Sequence, residues 1–396
     1  MFVDSFREFI LRQTKEDRAA KLGCAFVQVE SYGGVLERTV GYQSRPRELR
    51  YHPQRGVFLA EASVRMSRSS VLLLLSILSV SSSYDVEVRI PYNCLLGEGP
   101  HWSHALNAFV QVDIPGRSLF RYDPETDDYS KASIVNAGNV TFVVPVKYLP
   151  GVYLIGADLT VSLVYWDGSD NAELEAVALA QADAETIPGG RLNDGKCDPT
   201  GRLYTGTLSP LALNETRPDL FLYRLVPESE HELLRMEVAA DNVILSNGMA
   251  WSEDLSLMYF ADTVFNTVDI FDVDVETGAL SNRRTLFNAT EAGVAGFVDG
   301  MTIDNEGFLW VAMYTGFAVV RIDPTTGDVA DRVELPVPNV SSATFGRENL
   351  DSMFITTGRL ETDLGEYPLA GMTFEVTGLG VTGLRRDSSV VLSSSA

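Results

Sequence analysis

One phrase recurs six times along the chain, a run of alternating apolar residues that closes on an acidic turn, in several copies near Thr-Gly. The copies are Leu119–Thr126, Leu163–Gly168, Leu222–Pro227, Val268–Asp274 (running on to Gly278), Val319–Gly327 and Phe374–Gly378. They lie about 50 residues apart, the spacing of a radial repeat. A strand-turn-strand unit precedes each copy, as in Met301–Ala312, whose Asn305-Glu306-Gly307 tip has hairpin chemistry. Period-two alternation with tight tips at this spacing calls for four strands per unit, and such units close radially as propeller blades. No long stretch of helical periodicity competes. The expected fold class is therefore all-β, a six-bladed β-propeller over residues 85–384. A β-sandwich would also show many strands, but not one phrase at a fixed period.

Charge narrows the partners. The chain has 54 acidic against 31 basic residues and a formal net charge of -23. A surface that acidic repels phosphate backbones and anionic lipid, so neither nucleic acid nor a membrane is an expected partner. It tolerates cations, although solubility alone also explains much of the charge. A small molecule is the expected partner and a monomer the expected state.

Val71–Val80 is a ten-residue apolar run after Met66-Ser67-Arg68 and before Ser81–Ser83, the layout of a signal peptide and too short to span a bilayer. Its position suggests that Met66 is the functional start, that 1–65 is a non-structural extension and that 66–83 is removed on secretion. Without that start the protein would be cytoplasmic. A buried apolar strand or short helix, or an uncleaved anchor, are the other readings of the run. Four glycosylation sequons, at Asn139, Asn214, Asn288 and Asn339, all follow it. Of three cysteines, Cys94 and Cys197 would remain after cleavage and could pair or stay as buried thiols. The serine-rich tail 385–396 reads as disordered.

The residues that open the repeats carry the chemistry. Glu98, Asn193, Asn247 and Asp299 sit just before or at the start of innermost strands, three of them followed directly by glycine. In a propeller these positions converge on one end of the central channel. Alone, each Asn-Gly or Asp-Gly also fits a plain turn between blades; four at matching positions favour a shared site. Carboxylate and amide oxygens, with no convergent histidine or cysteine, suit one hard divalent cation, calcium before magnesium or manganese, with zinc a weaker fit. His101 and His104 read as packing or surface residues. No Gly-x-Ser-x-Gly elbow is present.

Several dispersed motifs stand in a familiar order: Gly97–Pro100, Val112–Pro115, Arg191–Lys196, Asp198-Pro199, Gly206-Thr207, Ser246–Gly248, Ser281–Arg284, Asp299–Met301 and Thr377–Gly380. From about residue 85 to 384 the chain resembles the senescence marker protein/regucalcin/gluconolactonase family, of which the luciferin-regenerating enzymes form an insect branch. The resemblance implies a metal held by Glu98, Asn247 and Asp299 and a substrate contacted by Arg191 and Asn193. It implies a metal-dependent lactonase acting on a sugar lactone or related ester, with Asp299 as general base for the attacking water. The alternative is a non-catalytic, calcium-binding regulatory propeller of the regucalcin type. One departure counts: where the family has a substrate-binding glutamate, this chain has Leu211, with Glu215 a possible substitute, which puts an aldonolactone preference in doubt.

Overall fold

A computed structural model of the protein describes residues 50–51, 84–210, 220–227, 234–385 and 389–391. The repeats fold into six sheets arranged as blades around a channel, antiparallel except where Ala172–Leu174 adds parallel to Asp128–Ile134 at the edge of blade one. The innermost strands, first in sequence in blades one to five, are Gly97–Ser103, Val140–Pro145, Arg191–Cys197, Ser246–Trp251, Phe297–Ile303 and Val340–Gly346. Each packs against its two counterparts in the neighbouring blades, so the six form a closed ring. Most residues of these strands are buried on both faces, whereas outer strands such as Leu280–Asn288 alternate or lie open. The recurring phrase is the third strand of every blade, Ser118–Asp123, Thr160–Tyr165, Leu220–Pro227, Thr267–Val273, Ala318–Ile322 and Thr373–Thr377. The phrase is visible because this apolar, mostly buried strand runs, in most blades, directly into an acidic turn.

Ring closure joins the two ends of the chain. Blade six takes three strands from the C-terminal side, and its fourth strand is Asp85–Ile90, paired antiparallel to Thr373–Thr377 with Val86 opposite Val376. The Glu375 carboxylate, 1% exposed, is the centre of this seam: Arg89 Nε lies 2.6 Å from Oε2 and Arg347 Nε 2.7 Å from Oε1. Burial alone would push Glu375 up, but the hydrogen bonds and charges of Arg347 and Arg89 hold it below the usual carboxylate range. On the other side of blade six, Phe354 stacks on Phe109 at 4.7 Å and on Trp102 at 5.8 Å, sealing it to blade one.

The chain ends depart from expectation. Within the stretch read as non-structural, Arg50–Tyr51 pairs antiparallel with Val86-Glu87 at the edge of blade six. The rest of 1–65 and all of 66–83 lie outside the described residues. Within the tail read as disordered, Val390 is buried, forms a parallel bridge to Val146 and exchanges backbone hydrogen bonds with Pro145 and Lys147. Its apolar side chain completes the cluster under blades two and three, a docking that composition does not signal. Cys94 and Cys197 are both buried as thiols in different core clusters, so the disulfide left open above does not form here. The Asn339 side-chain nitrogen is committed to Leu360 O and Thr362 Oγ1, both at 2.9 Å, which makes this sequon a turn-stabilising residue in the folded ring. Asn214 lies outside the described residues. Among those described, no helix is long and apolar enough to cross a membrane.

Glu375→Ala leaves two arginines facing a buried gap and should cost about 3 kcal/mol in urea unfolding at neutral pH. Because the folded state lowers this pKa, the carboxylate stabilises above the ordinary range and its contribution is lost as pH falls through the depressed value. The stability difference between wild type and Glu375→Gln should therefore shrink on acidification, measured by urea titrations at stepped pH.

Candidate active site

Every innermost strand carries one extra residue relative to its partner, at the same height in the ring. The ladder shifts between Glu98 and His101, Val140 and Val143, Leu192 and Gly195, Ser246 and Met249, Val298 and Met301, and Val340 and Ser342. A bulge of this kind unpairs a residue and re-aims its side chain. Asn193, Asn247 and Asp299 lie within these bulges and Glu98 at the edge of one. Carboxylates from the second strands fix the start of the inner ones. Asp113 accepts from the Leu95 and Leu96 N–H groups at 3.0 and 3.1 Å, and Asp262 from Ile244 and Leu245 at 3.0 and 3.2 Å. Glycine lets neighbouring blades approach: a Cβ on Gly248 would stand 2.7 Å from Asp299 O and 2.5 Å from Met301 N.

The polar groups at this mouth form a directed chain. Arg191 Nη1 donates to Asn193 Oδ1, and Asn193 Nδ2 donates to Ser246 O at 2.7 Å and Asn247 Oδ1 at 3.1 Å. Thr263 Oγ1 donates its single proton to Val298 O at 2.8 Å, so it accepts from Asn247 Nδ2 at 2.7 Å. That fixes the Asn247 amide with its oxygen on the side of Asn193, and the oxygen keeps a lone pair for a further partner. Glu98 Oε2 accepts from Gly99 N–H at 3.0 Å, whereas the buried Asp299 Oδ1 has no hydrogen-bond partner.

The electrostatics are unrelieved. Burial pushes Glu98 up to about 8, with the charge of Asp194 adding to the shift and Gly99 N–H and Arg191 opposing it. Asp299 is raised well above the usual range, by burial first and then by Glu98 and Asp194. Burial also lowers Arg191 to about 10, against the pull of Glu98 and Asp299. The two carboxylates thus face one another's field with one arginine between them and an orphaned oxygen. A hard cation fits this donor set: Glu98, Asp299 and the Asn247 carbonyl would hold it, all through oxygen. Among the described residues no group of three His, Cys, Asp or Glu side chains is placed to hold a metal ion, so such a site depends on the amide.

All five residues expected to form the site therefore stand at the same end of the channel, linked by hydrogen bonds or by mutual charge. Asp194 was missed, although it follows Asn193 directly; its carboxyl is raised by burial, with Lys196 opposing. Its signal was the adjacent polar pair Asn193-Asp194, which a strictly alternating strand would send to opposite faces. Leu211 and Glu215 lie outside the described residues.

Residues 96–359 match the SMP-30/Gluconolactonase/LRE-like region. The chain belongs to the SMP-30/gluconolactonase/LRE-like family. It is 36% identical over 316 residues to regucalcin from Macaca fascicularis, covering 76% of this chain and 97% of the relative, and 36% identical over 306 residues to regucalcin from Danio rerio with the same coverage. Among solved structures, a luciferin-regenerating enzyme superposes with a TM-score of 0.70 at 33% identity, over 77% of this chain and 99% of that one. A calcium-binding regucalcin from Agrobacterium tumefaciens gives a TM-score of 0.65 at 23% identity, over 76% and 96% of the two chains, and shares the fold. A gluconolactonase from Xanthomonas campestris, at 19% identity and a TM-score of 0.58 over 74% and 90%, does the same.

In this family member, Gly248→Ala forces backbone against backbone between blades four and five, and no side-chain rotation relieves it. The variant should lose about 2 kcal/mol, measured by urea unfolding, while Gly307→Ala, at a turn with open space around it, serves as the control for a strained glycine without a clash.

Proposed function

We propose that this propeller is a divalent-metal-dependent hydrolase that opens a small lactone or related ester at the Glu98–Asp299 mouth of its channel. The observation that carries the reading is the buried, partnerless Asp299 Oδ1 in the field of the raised Glu98 carboxyl, with the Asn247 amide fixed in the bulge of the neighbouring blade. A bound divalent cation, calcium by the donor chemistry, would supply Lewis-acid polarisation of the substrate carbonyl. Arg191 and Asn193, already locked to one another, orient substrate carbonyl or hydroxyl groups. Asp299 takes a proton from water as the water oxygen attacks the carbonyl carbon. The ring C–O bond then breaks and the proton passes to the departing alkoxide, giving a hydroxy acid. Family membership supports the reaction class, and regucalcin and gluconolactonase are among the relatives' names.

Calcium should raise the melting temperature of the wild-type protein, and Glu98→Gln should abolish that rise. Asp299→Asn should lower kcat/KM for a five- or six-membered lactone by about a thousandfold. Turnover that survives both substitutions and a chelator overturns the reading. A calcium-dependent melting shift without turnover on any lactone or aryl ester leaves the second reading, a non-catalytic calcium-binding propeller, which the regucalcin relatives favour. Secretion is proposed alongside, supported by the Met66–Ser83 pattern. The mature N-terminus should then fall close to Tyr84, and mass spectrometry showing one well upstream would refute it.

A further inference from the structure

Among the described residues two phenylalanines stand exposed, Phe265 at 43% and Phe297 at 49%, and both belong to the mouth that holds Asp299. Phe297 lies two residues before Asp299 on the innermost strand of blade five and pairs directly with Tyr314. Directly opposed residues project from one face of a sheet. The Tyr314 phenol is raised by burial and then by the charges of Asp299, Glu98 and Glu361, so that face is the one turned towards the site.

Phe265 sits in the turn between the second and third strands of blade four. Its neighbours Thr263 and Asn266 fasten this turn to blade five. Thr263 Oγ1 donates to Val298 O at 2.8 Å, Asn266 Oδ1 accepts from Val298 N–H at 2.9 Å, and Asn266 Nδ2 donates to Gly296 O at 3.2 Å. The turn that carries Phe265 is thus held on the residues either side of Phe297.

The polar side chains at this side of the mouth are already engaged. Asn266 is buried with both ends of its amide on backbone, and Thr263 is taken up by Val298 O and the Asn247 amide. A hydroxylated substituent laid over these turns would give up water for partners that are occupied, which costs free energy. A hydrocarbon substituent would instead remove water from two exposed rings, which stabilises the complex.

We propose that the substrate is a lactone with an apolar substituent, and that Phe297 and Phe265 are the specificity-determining wall on which that substituent lies. This rests on the hydrolase reading and names the substrate class of the same site.

γ-Phenyl-γ-butyrolactone and γ-hydroxymethyl-γ-butyrolactone differ in the substituent alone. With calcium present, kcat/KM should favour the phenyl compound by about tenfold or more, and Phe297→Ala should remove most of that preference. Phe265→Ala provides a second variant, and the melting temperature shows which variants are folded. Calorimetric titration with the non-hydrolysable lactams that carry the same two substituents reads recognition apart from chemistry, and the phenyl lactam should bind about tenfold tighter. Preferential binding of the phenyl lactam without turnover of any lactone would sink the hydrolase reading and keep the aromatic wall as a recognition surface. Equal or reversed preference between the substituents, an undiminished preference in both folded variants, or neither turnover nor saturable lactam binding would overturn the proposal.

Discussion

The ring holds because one buried carboxylate, Glu375, is shared between an arginine from each end of the propeller sequence. Arg89 comes from the strand that opens the fold and Arg347 from the last blade, so their common partner ties segments more than 250 residues apart. Only a closed ring keeps six inner strands at a fixed distance from one axis. The convergence of Glu98, Asn193, Asn247 and Asp299 therefore depends on a contact made at the outer edge of blade six, far from any of them. The aromatic stack of Phe354 on Phe109 and Trp102 does the same work on the blade-one side with dispersion and apolar burial in place of charge.

The channel mouth is organised on the opposite principle. At the seam, charges are matched and a carboxyl is stabilised in its ionised form; at the mouth, Glu98, Asp194 and Asp299 are crowded and raised. Clamps such as Asp113 and Asp262, which hold the start of the inner strands by backbone N–H groups, keep the crowded groups from relaxing apart. Strain of this kind is tolerated where the scaffold is rigid, and it is what a functional site in a preorganised fold is expected to show.

Much of this was legible in the sequence, for identifiable reasons. The third strand of each blade is a mostly buried apolar run, in most blades followed by an acidic turn, so it survives as a readable phrase, and six copies gave the blade count. The site residues were legible because turn chemistry at the head of each repeat places polar residues where a core strand would otherwise be apolar. The closing strand Asp85–Ile90 had no such signal: its partner Thr373–Thr377 is remote in sequence, and β-pairing over that distance leaves no local pattern. The docking of Val390 on Val146 was hidden for a similar reason, one apolar residue in a serine-rich tail being decided by what lies beneath it. Asp194 was less legible because strict strand alternation turns it away from Asn193, and only the bulge between Leu192 and Gly195 breaks that alternation.

That bulge is repeated in all six blades, yet blades two and six place only Thr141 and Ser341 at the equivalent height, the former with a buried hydroxyl that has no partner. The ring is thus a six-position frame of which four carry amide or carboxylate groups and two carry hydroxyls. Because the backbone detour is already built at every position, the chemistry of the mouth can diverge by single side-chain exchanges without any rearrangement of the blades. Related propellers can in this way acquire different substrates while their backbones stay superposable.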